Sequence, residues 1–136
     1  MSFIGELNLL GIIVSLVANT ILGGVWYTVI FGKQYAEALG RKYSSTDKPG
    51  ALFIIGPMVC GLVLIITLDL ISEGIKISSL MDAALFGLLV GGGIVASTSV
   101  NTAINPNIPR PLYYALINGS FFVVSTTVIC IILFLV

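Results

Sequence analysis

The side chains able to do chemistry are few and of one kind. The 136-residue chain has no histidine and two cysteines, which removes His-activated nucleophiles, paired-His metal sites and bis-His haem ligation. Cys60 and Cys130 lie at different depths on different apolar segments, so they read as small core residues rather than a disulfide. No nucleophile–base pair can be drawn, and the reading is a protein without catalytic residues, cofactor or metal. What remains is a set of amides, a guanidinium and aromatic rings: Asn101, Asn105, Arg110 and Asn118, with Trp26 and Tyr27 at matching depth. Such groups bind rather than react, and together they can hold a headgroup or an amphipathic small molecule. The competing reading is an aromatic belt plus a capping network around a proline-rich turn.

The elements that must position these residues follow from composition. The chain is 57% hydrophobic and 9% charged, with net charge zero and a mean hydropathy of +1.12. A soluble domain carries about 25% charged residues, so this chain lacks the polar surface that water requires. It also lacks a basic face for nucleic acid. Crossing a bilayer takes about 20 apolar residues, and four segments qualify: 7–31, 51–71, 83–104 and 112–136. Continuous runs such as Leu62-Val63-Leu64-Ile65-Ile66 exclude the alternation of a membrane β-barrel. The fold class is therefore an all-α integral membrane protein, one four-helix bundle over 1–136, whose first partner is the lipid bilayer.

Charge placement predicts the topology. Of the six basic residues, Lys33, Arg41, Lys42 and Lys48 fall in the loop 32–50 and Arg110 in the turn 105–111, leaving Lys76 alone on the other side. The positive-inside rule then puts both loops in the cytoplasm and both termini outside. Tyr35, Leu39 and Tyr43 recur at i, i+4 and i+8, which predicts a short interfacial amphipathic helix after the first span. Asp47 and Pro49 read as N-cap and first turn of the second span. Asp69, near the outer end of that span, reads with Glu73 and Asp82 as solvating an outer loop. With no carboxylate at mid-membrane, proton-coupled antiport of the small multidrug resistance type is disfavoured.

Small residues mark helix contacts in lipid, where the hydrophobic drive between helices is weak. Gly11, Ser15, Asn19 and Gly23 form one i+4 row on the first span. Ala83, Gly87 and Gly91 form another on the third, joined by Gly92 to Ala96 and Gly93 to Ser97. These rows predict that spans one and three are central, and that surplus stripes serve a homo-oligomer. Asn19 reads as interhelical glue.

The stretch Gly24-Val25-Trp26-Tyr27-Thr28-Val29-Ile30-Phe31-Gly32-Lys33, with Arg110-Pro111 and Ile117-Asn118, resembles the small four-helix membrane proteins of domain-of-unknown-function family 1761. Val29 and Tyr35 stand where that family often has proline and tryptophan. The resemblance covers essentially the whole chain. It implies four helices and a bacterial-type inner-membrane location, and no activity. The functional expectation is a small, oligomeric membrane protein that binds or passes a small or lipophilic molecule. The alternatives are an accessory subunit of a larger membrane complex and, behind it, an enzyme acting on a lipid.

Overall fold

Lipid offers no partner for backbone N–H and C=O groups, so long apolar runs satisfy them internally as helix. The computed structural model describes residues 6–46 and 48–136. It contains four helices long and apolar enough to cross a membrane: Leu9–Ile30, Ala51–Gly74, Leu80–Ala103 and Pro111–Leu135. They are called spans one to four below.

Local signals set the ends. Asn8 caps span one by accepting the Gly11 N–H at 2.9 Å. Span three begins at Leu80, earlier than hydropathy predicts. Ser79 caps it by accepting the Asp82 N–H at 3.0 Å, and its hydroxyl donates to the Asp82 carboxylate at 2.7 Å. Pro111 occupies the first turn of span four. Span two starts after Gly50 with no side-chain cap, so Pro49 lies outside its first turn; Asp47 falls outside the described residues.

The helix after span one is shorter than its periodicity predicts. It runs Gly32–Ala38 and stops where Gly40 takes φ +69°. The Arg41 N–H reaches Ala36 O and the Gly40 N–H reaches Glu37 O, a Schellman stop that favours glycine. Tyr43 is therefore off the helix, and its ring folds back over Gly32.

Span four, rather than span one or three, is central: it packs against each of the other spans, while span three makes its extensive contacts with span four. Gly87 and Gly91 permit this. A Cβ at Gly87 would stand 2.6 Å from the Thr127 Cα, and one at Gly91 3.0 Å from the Phe122 carbonyl oxygen. The glycine run then opens a π-helical turn, Gly91–Ala96. That turn moves the buried row from a step of four to a step of five, so it passes from Ala83, Gly87 and Gly91 to Ala96. The row through Gly93 and Ser97 is left exposed, and nothing lies within 4 Å of a Cβ at Gly93. The row on span one does face inward: Gly11 and Ser15 are buried, Asn19 lies against Gly61, and Gly23 lies under Phe121.

Two further expectations are overturned. Asp69 does not solvate a loop. It is 2% exposed and accepts the backbone N–H of Asn8 at 3.0 Å, where its charge meets the positive end of span one. Asn8 in turn donates to Leu133 O, so one knot ties spans one, two and four beside the core of Ile12, Ile65, Leu68 and Ile129. Cys60 is exposed rather than core, whereas Cys130 is buried, because span two packs little along its first half.

Contact distance separates the glycines. Gly87→Val should cost about 1–3 kcal/mol through forced helix separation. Gly93→Ala should be neutral or gain up to about 1 kcal/mol from helix propensity. Unfolding titrations in detergent, comparing both variants with the parent chain, check the difference.

Candidate functional site

The loop-side end of the molecule gathers most of the residues singled out from sequence. Span one ends in a second π-helical turn, Val25–Ile30, closed by the Phe31 N–H on Trp26 O at 2.9 Å. This turn carries Trp26 and Tyr27 toward span four. The Trp26 indole donates to Ile117 O at 3.1 Å, and the Tyr27 hydroxyl donates to the Asn118 side-chain oxygen. Asn118 then donates its amide N–H to Ser99 Oγ at 2.7 Å. One amide thus links spans one, three and four at a depth where lipid would leave it unpaired.

Aromatic rings surround that link. Trp26 lies 5.0 Å from Phe31 and 5.9 Å from Phe121; Tyr27 lies 5.1 Å from Phe121 and 4.9 Å from Tyr35; Tyr35 lies 5.6 Å from Tyr114. Tilted and edge contacts at these distances suit the ring quadrupoles. The two loops meet just beyond. Arg110 pairs with Glu37, its N–H reaches Ala38 O at 3.2 Å, and Pro109 abuts the turn at Gly40. Loops 32–50 and 105–111 therefore share one end of the molecule.

Not every candidate joins them. Asn105 donates to Thr102 O at 2.7 Å and accepts the Asn107 N–H at 2.8 Å, so much of its amide holds the proline-rich turn. Asn101 is exposed on span three and is not brought to Asn118; the π turn rotates the later helix so that Ser99 and Ala103 take the inner positions. Arg110 is committed to Glu37.

Beside Asn118, spans three and four leave an open groove of about 550 Å³. Its walls include Ile94, Thr98, Thr102 and Asn105 on one side and Tyr114, Asn118 and Phe122 on the other, with Val95, Ser99 and Ala103 also lining it. Thr98, Ser99 and Tyr114 were missed as site residues. Hydroxyls at i and i+4 beside the glycine run, facing a Tyr114–Asn118–Phe122 row, were the available signal.

Burial pushes the Tyr35 phenol up from 10.0 to about 12, reinforced by Tyr114, while Arg41 pulls the other way. A raised folded-state value means that the neutral phenol supports the fold. That support is complete below pH 10.0 and is lost as the pH rises toward about 12. Alkaline titration followed by phenolate absorbance should lose one late tyrosine equivalent in Tyr35→Phe, with the parent chain loosening over the same window.

Comparison with curated proteins and with solved structures gave no match. The family comparison did: residues 10–134 match the family described as Protein of unknown function (DUF1761). The matched range reaches all four helices, and the chain belongs to that family.

Proposed function

We propose that this small multi-pass membrane protein is a non-enzymatic binder or conduit for a small or lipophilic molecule, taken up at the loop-side end. The observation that carries this reading is the groove of about 550 Å³ beside Asn118. That volume lies in the usual ligand-site range of roughly 300–1,000 Å³, and convergent polar groups sit among apolar walls. The site belongs to an inner, cell-type membrane, with loops 32–50 and 105–111 cytoplasmic and both termini outside. All but one of the six cations fall in those two loops, which supports this orientation. Native mass spectrometry from nanodiscs is the test. The expected result is a chain that retains one amphipathic molecule through gentle activation; a bare chain, free of lipid and ligand, would count against the reading.

We further propose a homo-oligomer formed through the outer face of span three. Gly93, Ser97 and Asn101 lie there at steps of four, all exposed. Small residues permit close approach, and an amide can both donate to and accept from its own copy. The same face would suit an accessory subunit bound to a different protein. Asn101→Leu should convert an oligomer to a monomer in nanodisc mass measurements. Recovery of stoichiometric complexes with another chain, and no homo-oligomer, would favour the accessory reading instead.

A further inference from the structure

We infer that the groove between spans three and four takes an uncharged amphiphile, with a hydroxyl- or carbonyl-bearing head and a hydrocarbon tail. This rests on the binding reading above and names the ligand's class. The groove changes character along its length. Toward the loop it presents Thr102, Asn105, Tyr114 and Asn118 beside Ala103 and Ile108; deeper in, it presents Ile94, Val95 and Phe122. Between Ile94 and Ala103 the helix rises roughly 14 Å, enough to separate a polar head from the first methylenes of a tail. That gradient runs parallel to a bilayer lipid with its head at the loop end.

The second observation concerns charge. Among the described residues, no Lys, Arg, Asp or Glu lines the groove. The cations of that end, Lys33, Arg41, Lys42, Lys48 and Arg110, all lie outside the lining; Arg110 is paired with Glu37, and the Arg41 guanidinium lies over the Tyr35 ring at 5.9 Å. Recognition of a phosphate head calls for uncommitted Lys or Arg, and burying an anion without them costs far more than a neutral amide or hydroxyl can return. The neutral groups still have capacity. Asn118 spends one N–H on Ser99 and one lone pair on Tyr27, and a primary amide has two of each. One donor and one acceptor therefore remain: the donor serves a carbonyl head, and the acceptor adds a partner where the head carries a hydroxyl. A third observation is mechanical. The inner wall at Ile94 and Val95 belongs to the π-helical turn, a distortion that recurs at functional sites.

Two sources share this chemistry: a diacylglycerol, with ester carbonyls and one hydroxyl, and an isoprenoid quinone, with ring carbonyls alone. The experiment offers dioleoylglycerol, an isoprenoid quinone and dioleoyl phosphatidic acid at equal mole fraction to the full chain in phosphatidylcholine nanodiscs, with retention read by native mass spectrometry. Retention of either neutral probe at about tenfold or more over phosphatidic acid is expected, and the neutral probe that dominates identifies the source. Thr98→Val with Thr102→Val removes two groove hydroxyls at nearly constant volume and should weaken that retention by about three- to tenfold. Asn118→Ala is avoided as sole evidence because it also unties Tyr27 from Ser99; circular dichroism of the threonine variant confirms that it folds. Phosphatidic acid retained as well as the neutral probes overturns the ligand class and leaves the binding reading standing. Retention indifferent to the threonine pair overturns the groove as its place. If none of the three is retained and nothing copurifies, both readings fall.

Discussion

The backbone approach of spans three and four at Gly87 and Gly91 governs the geometry of everything on their loop side. In lipid there is little hydrophobic drive to hold helices together, so dispersion between closely apposed backbones must do it, and that attraction falls off steeply with distance. A single methyl at Gly87 would meet the Thr127 Cα at 2.6 Å, a separation no real Cβ tolerates. Two helices pinned this closely have fixed depth and rotation. The Asn118 to Ser99 hydrogen bond, the Tyr27 bond that completes it, and the groove beside them all inherit that register.

The π-helical turns convert that register into a site. A regular helix through 91–103 would continue the buried row to Val95; the extra residue in the turn places Ala96 inward instead. Thr98 and Thr102 then line the groove, and Asn101 is left facing outward. At the end of span one the corresponding turn brings Trp26 and Tyr27 onto Ile117 and Asn118. Glycine weakens the regular helix at both places: Gly91-Gly92-Gly93 opens one turn, and Gly23-Gly24 precedes the other.

Much of the architecture was legible in hydropathy, because a bilayer permits one solution for a long apolar run. The positions of Trp26, Tyr27 and Asn118 at one depth were legible by counting from the loops. Their rotation was not. A step of four is what helical geometry predicts from sequence spacing, and one added residue per turn defeats it, which is why the i+4 rows led to Gly93 and Ser97. The centrality of span four was also hidden. Its small buried residues, Ala115, Gly119, Ser125 and Thr126, are interrupted by Ile117, Phe121 and Ile129, so no unbroken i+4 row runs along it; the glycines of the close contact sit on its neighbour. Asp69 misled for a related reason. A carboxylate near a span end ordinarily reaches water, and only the tertiary placement of Asn8 reveals its partner.

The two ends of the molecule resolve the cost of polar groups in different ways, and the difference bears on where a ligand can enter. At the end opposite the two loops, Asp69, Asn8 and Leu133 O form a closed set that ties three spans. In the interior, Ser15 Oγ, Asn19 Oδ1 and Thr126 Oγ1 are buried without partners among the described residues. Ser15 and Thr126 are fully covered, where small side chains serve packing and their hydroxyls have no approach from the bilayer. At the loop-side end the polar groups are neither closed nor sealed: hydroxyls and amides line an open groove whose deeper walls are apolar. Because Gly87 and Gly91 hold the helices together below it, the groove can be occupied without separating the spans. A guest there would meet a preformed wall and displace lipid rather than protein, the condition under which a few neutral hydrogen bonds suffice to select it.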